Sequence, residues 1–163
     1  MKKVLLVHGI FMNPLVMASL AGQLKERGYE VERFGFPLFP KKEDLGDRFI
    51  GVVASQKPDV IIGHSLGGNI TVANIAKLSG SVRAIVCLGS PLKGTSIAKK
   101  ISESKFPHLI SAAAKELLVK ELIIPSSKIR VGMISGTNDA VGFRLLFGGV
   151  TGLNDGTVSL EET

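Results

Sequence analysis

The chain has 163 residues, 45% of them hydrophobic, with 19 glycines, no tryptophan, one tyrosine and a formal net charge of +6. That length bounds one domain, residues 1–163, with one substantial core, and the composition excludes disordered and fibrous classes. No run exceeds two adjacent Lys or Arg and aromatic side chains are scarce, so the charge reads as solubility and no nucleic-acid partner is expected.

In chain order, Met1-Lys2-Lys3 precedes an apolar run that lasts only from Val4 to Val7 before His8-Gly9. That run is shorter than the roughly seven apolar residues a signal peptide needs, and no segment reaches transmembrane length. The expectation is a cytoplasmic chain without stable membrane insertion. Val4–Val7 is a short strand. Pro14–Arg27 has helical spacing through Leu15, Ala18, Leu20, Ala21 and Leu24, and Gly28 stops it. Tyr29–Phe36 reads as a strand ended by Pro37 and Pro40, and Lys42–Gln56 as a helix ended before Pro58.

Val60–Ile62 is the next strand and Leu66–Leu78 the helix after it. Val82–Leu88 and Ile129–Ile134 follow as apolar strands with little polar alternation, as parallel strands covered on both faces show. The rhythm is β-α-β-α-β-α-β, which predicts an α/β fold with right-handed crossovers. Two stretches interrupt it. Pro91–Pro125 is an insertion carrying one or two helices, and its lysines and glutamates give it half of the chain's net charge. Ala140–Leu153 is a glycine-rich loop around Phe143 and Leu145-Leu146-Phe147. Cys87, the only cysteine, lies in an apolar run and reads as a buried, inert thiol.

The chemistry concentrates at Gly63-His64-Ser65-Leu66-Gly67-Gly68. A strand running into G-x-S-x-G places a serine at a sharp strand-to-helix turn, beside the free N–H groups and positive dipole end of the helix. His8-Gly9-Ile10 follows the first strand, where a loop can aim a second backbone N–H above Ser65. Two such donors form an oxyanion hole, and losing one costs about 10²–10³ in rate. No His, Cys or acidic set has metal-ligand spacing, and no Lys-Ser/Thr pair follows Gly63–Gly68 as a phosphate loop requires, so neither metal nor cofactor is expected. Asp44, Asp47 and Asp59 read as solvated or capping carboxylates.

Together these motifs, with Gly89-Ser90-Pro91 and Asn154-Asp155-Gly156-Thr157-Val158, resemble the α/β-hydrolase superfamily, in particular small bacterial lipases and esterases. The resemblance runs through nearly the whole chain. It implies a minimal three-layer α/β/α sandwich with a mostly parallel sheet, lacking the amino-terminal strands of larger relatives. It also implies Ser65 as nucleophile, and Ile10 and Leu66 as oxyanion donors. Residues 91–125 fall where the family places a lid; two packing helices are the other reading. The acid is Asp155, on the D-G-x-V pattern and the chain order Ser…Asp…His, with Asp139 after the Ile129–Ile134 strand as the alternative.

The base is the departure. A serine needs an imidazole to take its proton, and in chain order it follows the acid. His8 belongs to the oxyanion loop, His64 is expected to point away from the site, and His108 precedes both acids. The resemblance thus implies a base and a covering helix beyond Thr163, a chain truncated relative to the family, with self-association through the apolar surface left bare. Recruitment of His108 and a pseudo-hydrolase that binds an acyl ligand or partner are the alternatives. The expected reaction is hydrolysis of a small-molecule acyl ester through acyl-Ser65; thioesterase and acyltransferase chemistry share the constellation. Phe34–Phe39 and Phe143–Phe147 are candidate pocket linings, with core packing as the plainer reading.

Overall fold

The structure is a computed structural model that describes residues 1–37, 42–78, 80–103, 111–126, 128–137, 153–155 and 157–163. Its strands are β1 (Lys3–Val7), β2 (Glu30–Phe34), β3 (Val60–His64), β4 (Ala84–Leu88) and β5 (Arg130–Ile134). Its α-helices are α1 (Ala18–Glu26), α2 (Lys42–Gln56), α3 (Leu66–Ala73), α4 (Ser96–Glu103) and α5 (Ala112–Val119). The strands form one all-parallel sheet in the order β2-β1-β3-β4-β5. The chain winds outward from β1 to β2, then returns past β1 to β3 and onward. The carboxyl ends of β1 and β3 therefore flank a topological switch point, where open α/β sheets place their ligand crevice.

Helix boundaries shift for local reasons. Pro14–Met17 is a 3₁₀ turn capped by the Asn13 side chain, and the α-helix begins only at Ala18. α3 ends at Ala73 rather than Leu78; Asn74 caps it, its side chain donating to the Ile70 carbonyl at 2.8 Å, and Ile75–Lys77 continues as a 3₁₀ turn. Among the described residues of Pro91–Pro125 stand the helices α4 and α5.

Side chains alternate between the two faces of the sheet. Leu5, Val7, Ile61, Ile85 and Cys87 join the main core with Phe34, Phe49, Leu66, Ile70 and Leu118. Val4, Leu6 and Val31 form a smaller core with Met17 and Ala21, against which Val60 and Ile62 pack. On that second face Val86 and Leu88 of β4 stand in register with Gly132 and Ile134 of β5, and Ile134 is 61% exposed. The expectation that every strand is covered on both faces thus fails at β5, whose Arg130, Gly132 and Ile134 are exposed. Among the described residues no helix is long and apolar enough to cross a membrane.

Asp59 is a capping carboxylate: its Oδ2 accepts from the Lys3 N–H at 2.8 Å. Phe34 and Phe36 are core residues, both buried. Residues 38–41 and the Phe143–Phe147 stretch lie outside the described residues.

Candidate functional site

Ser65 stands at the β3–α3 junction with φ 50° and ψ −122°. A non-glycine residue there carries roughly 1–3 kcal/mol of backbone strain, tolerated only where neighbours hold it. The Ser65 N–H donates to the Leu88 carbonyl at 2.9 Å, and the Ser65 carbonyl accepts from Gly68 N–H at 3.0 Å. The glycines around it are demanded by close approach. A Cβ on Gly67 would lie 2.8 Å from the Val7 carbonyl carbon, and one on Gly68 2.7 Å from the Ser90 Cβ. G-x-S-x-G-G thus lets α3 settle directly over the ends of β1 and β4, with its first turn against Ser65.

His8 pins the neighbouring loop. Its Nδ1 pairs with the Gly9 carbonyl at 2.8 Å and its Nε2 accepts from the Phe36 N–H at 3.3 Å, while its ring stacks on Phe36 at 4.1 Å. Those partners assign a neutral imidazole with the proton on Nδ1. Burial holds its pKa below the ordinary 6.5, against the opposing pull of the Gly9 carbonyl. The loop so fixed carries Ile10 to the Ser65 cavities. Leu66 is the first residue of α3, where a helix leaves its N–H groups without intrahelical acceptors.

Asp155 arrives from a tight turn. Its Oδ1 accepts from the Thr157 N–H at 2.9 Å and the Val158 N–H at 2.8 Å, the Asx-type turn that Asn-Asp-Gly chemistry favours. The turn lies across the ends of β4 and β5, where only glycines leave room. A Cβ on Gly89 would sit 2.9 Å from Asp155 Oδ2, and one on Gly136 2.9 Å from its Cβ. Gly89 also adopts φ 50°.

Two cavities open at Ser65. One, of about 210 Å³, is lined by Ile10, Met12, His64, Ser65, Gly89 and Asp155 together with Thr157 and Val158. It brings the sequence-designated nucleophile, one acid and one oxyanion residue to a common space. The other, of about 40 Å³, is almost wholly apolar and runs from Ser65 between Ile10, Ile97, Ile101, Leu118 and Val158.

His64 does not turn away from the site as expected from its place beside Ser65. With the Asp155 turn seated at the ends of β4 and β5, His64 lines the 210 Å³ cavity together with Asp155, its Nδ1 buried without a hydrogen-bond partner. Burial lowers its pKa, the Asp155 charge opposes that, and His8 reinforces it. His108 and Asp139 lie outside the described residues. Among the described residues no three His, Cys, Asp or Glu side chains are placed to hold a metal ion. Cys87 is buried and its thiol pushed up to about 11 by burial.

Sequence reasoning does not single out Asn69 or Glu162. Asn69 donates from Nδ2 to the carbonyls of Pro91 at 2.9 Å and Leu117 at 2.6 Å, tying both arms of the insertion to α3. Glu162 forms a capping box with Ser159; the S-x-x-E spacing is its signal in the sequence.

The model of the PGAP1-like alpha/beta domain matches residues 53–143. No curated protein matches the chain by sequence. Among solved structures, a carboxylesterase of the ammonia-oxidizing thaumarchaeon Nitrososphaera gargenis superposes with TM-score 0.58 at 20% identity, covering 89% of this chain and 75% of that one. Tomato methylketone synthase I, solved with 2-tridecanone, gives TM-score 0.60 at 16% identity over 85% of this chain and 80% of that one. The esterase domain of a Rhodothermus marinus protein gives 26% identity and TM-score 0.47 over 61% of this chain and 45% of that domain, so the chain spans less than half of that relative's length. The five parallel strands and the helices packed on them give the chain the α/β-hydrolase fold, and the match over more than half its length shows the family: the chain belongs to the PGAP1-like alpha/beta domain family.

Proposed function

We propose that the protein is a serine hydrolase acting on carboxylic esters through an acyl-Ser65 intermediate. The observation that carries this reading is the strained backbone of Ser65, held at φ 50° at the mouth of two cavities. Such strain persists where the position it gives a side chain is used.

In this mechanism the ester carbonyl sits above Ser65, with its acyl carbons in the apolar cavity. Ser65 Oγ attacks the carbonyl carbon as an imidazole takes the Oγ proton. The N–H groups of Ile10 and Leu66 hold the oxyanion. The tetrahedral species collapses, the imidazolium protonates the leaving alkoxide, and water repeats the sequence to release the acid. Asp155, its Oδ1 already engaged by Thr157 and Val158, offers Oδ2 to orient the imidazole. The place for that imidazole is the 210 Å³ cavity lined by both Ser65 and Asp155.

The test is hydrolysis of p-nitrophenyl butyrate by residues 1–163 with and without free imidazole. Weak turnover above the rate of imidazole and buffer alone is expected in the wild type, raised further by imidazole and lost in Ser65→Ala; well-studied enzymes stripped of triad members keep roughly 10³–10⁴ over water. Equal rates in wild type and Ser65→Ala would overturn the assignment.

The apolar cavity, which needs no triad to hold a ligand, favours a second reading: binding of an acyl ligand without turnover. A fluorophosphonate that fails to label Ser65 while fatty acid binds would select it.

A further inference from the structure

The narrow cavity at Ser65 has two walls from distant parts of the sequence. Ile97, Ala98 and Ile101 come from one face of α4, and Thr157 and Val158 from the Asp155 turn. One carboxylate joins those walls. Glu162 Oε1 accepts from the Ser96 N–H, the first of α4, at 2.7 Å, and its Oε2 accepts from the Ser159 N–H at 2.9 Å. Its own N–H donates to Ser159 Oγ at 3.3 Å, and its carbonyl accepts from the Lys93 N–H at 3.0 Å. Its negative charge also suits the positive end of the α4 dipole. Glu162 lines neither cavity at Ser65, so it acts only through what it holds.

The cavity between these walls is about 40 Å³. A water needs roughly 10–15 Å³ by this measure, so the space admits on the order of three or four atoms beyond the reacting carbonyl. Ile97, Ala98 and Ile101 are all buried and line the cavity, so a shift of α4 at its N-terminus, away from the turn, widens it. We infer that Glu162 is a positioning residue that holds α4 against the Asp155 turn and thereby restricts the site to short acyl groups of about four or five carbons. The inference rests on the serine-hydrolase reading, and it adds the acyl length and the residue that sets it.

Two variants separate the clamp from the chemistry. Glu162→Ala removes the carboxylate. Ser96→Pro removes only the donor, at the first helical position, where proline is tolerated, and leaves the Ser159–Glu162 turn intact. Ile101→Ala enlarges the cavity directly and serves as the positive control.

Ser65 labelling by p-nitrophenyl alkylphosphonates, ethyl to octyl, is measured on the full 163-residue chain with imidazole present. Binding of butyrate and octanoate, which needs no nucleophile, is measured by calorimetry. The wild type is expected to prefer short chains. Each clamp variant should raise the octyl-to-ethyl ratio about tenfold, the scale set by a misfit methylene or two, with Glu162→Gln in between. General destabilisation would lower all rates together and leave the ratio alone.

An unchanged ratio in both clamp variants, alongside a raised one in Ile101→Ala, would overturn the inference. So would a wild type with no chain-length preference. If no phosphonate labels Ser65, the hydrolase reading fails by itself, and the butyrate-to-octanoate affinity ratio decides the role of Glu162. Should Glu162→Ala fail to fold, the ratio in Ser96→Pro decides whether the clamp sets acyl length.

Discussion

The two faces of the sheet are built to different standards. On one, Leu5, Val7, Ile61, Ile85 and Cys87 lie under α3 and its neighbours in a continuous core. On the other, α1 covers Val4, Leu6 and Val31, and the cover thins across β4 to β5, where Ile134 is 61% exposed. The difference bears on the site. Ser65 leads into α3, whose residues from Leu66 to Val72 are all buried, so Ser65 is braced by the dense face. Asp155 is seated over Gly89 and Gly136, at the β4 and β5 end, by a turn that few strand contacts support. A tightly braced Ser65 thus faces an Asp155 whose Oδ1 is held by the N–H groups of its own turn, Thr157 and Val158.

Three substitutions probe this contrast. Phe49, fully buried in the main core, should cost about 3–5 kcal/mol as Phe49→Ala, read from urea unfolding. A loss under about 1 kcal/mol would mean that the dense face is not the main source of stability.

The next effect is pH dependence. Both His8 and His64 are held below 6.5 in the folded state, chiefly by burial. The unfolded chain therefore takes up protons that the folded one refuses. Their contribution to stability is full above about 6.5 and is lost as pH falls through the lowered values. Urea midpoints from pH 8 to 5 should fall. His8→Gln should flatten part of that slope while costing about 1–3 kcal/mol at neutral pH through the lost Phe36 and Gly9 hydrogen bonds. A flat pH profile in the wild type would contradict the neutral, buried assignment of both rings.

The smallest effect belongs to the open face. Ile134→Thr should change stability by no more than about 0.5 kcal/mol, as surface substitutions do. A loss several times larger would show that something covers β5 in solution, and sedimentation at two concentrations would then tell a second copy from a segment of the same chain.

Much of this was legible in the sequence because it is local. Lys42–Gln56 is a helix to the residue, and each remaining strand was located to within a few residues, since short apolar runs and Gly or Pro stops act over neighbouring positions. Ser65 was legible for the same reason: strand, turn and glycine-opened helix are contiguous. The open face of β5 was not. Arg130-Val131-Gly132-Met133-Ile134 reads as apolar, and whether a helix crosses it depends on chain packed from elsewhere. His64 was misplaced because its surroundings are set by a turn some ninety residues away, whose seat at β4 and β5 no local pattern reports.

The sequence by itself determined the parallel α/β rhythm, the serine at the sharp turn between β3 and α3, and a tight Asn-Asp-Gly turn at Asp155. These follow from backbone chemistry within a few residues. Only the tertiary structure decided that Asp155 shares a cavity with Ser65 and His64, that β5 keeps one face open, and that Glu162 reaches Ser96 across 66 positions. Those facts depend on which distant segments meet, and long-range packing leaves no periodicity in the chain to be read.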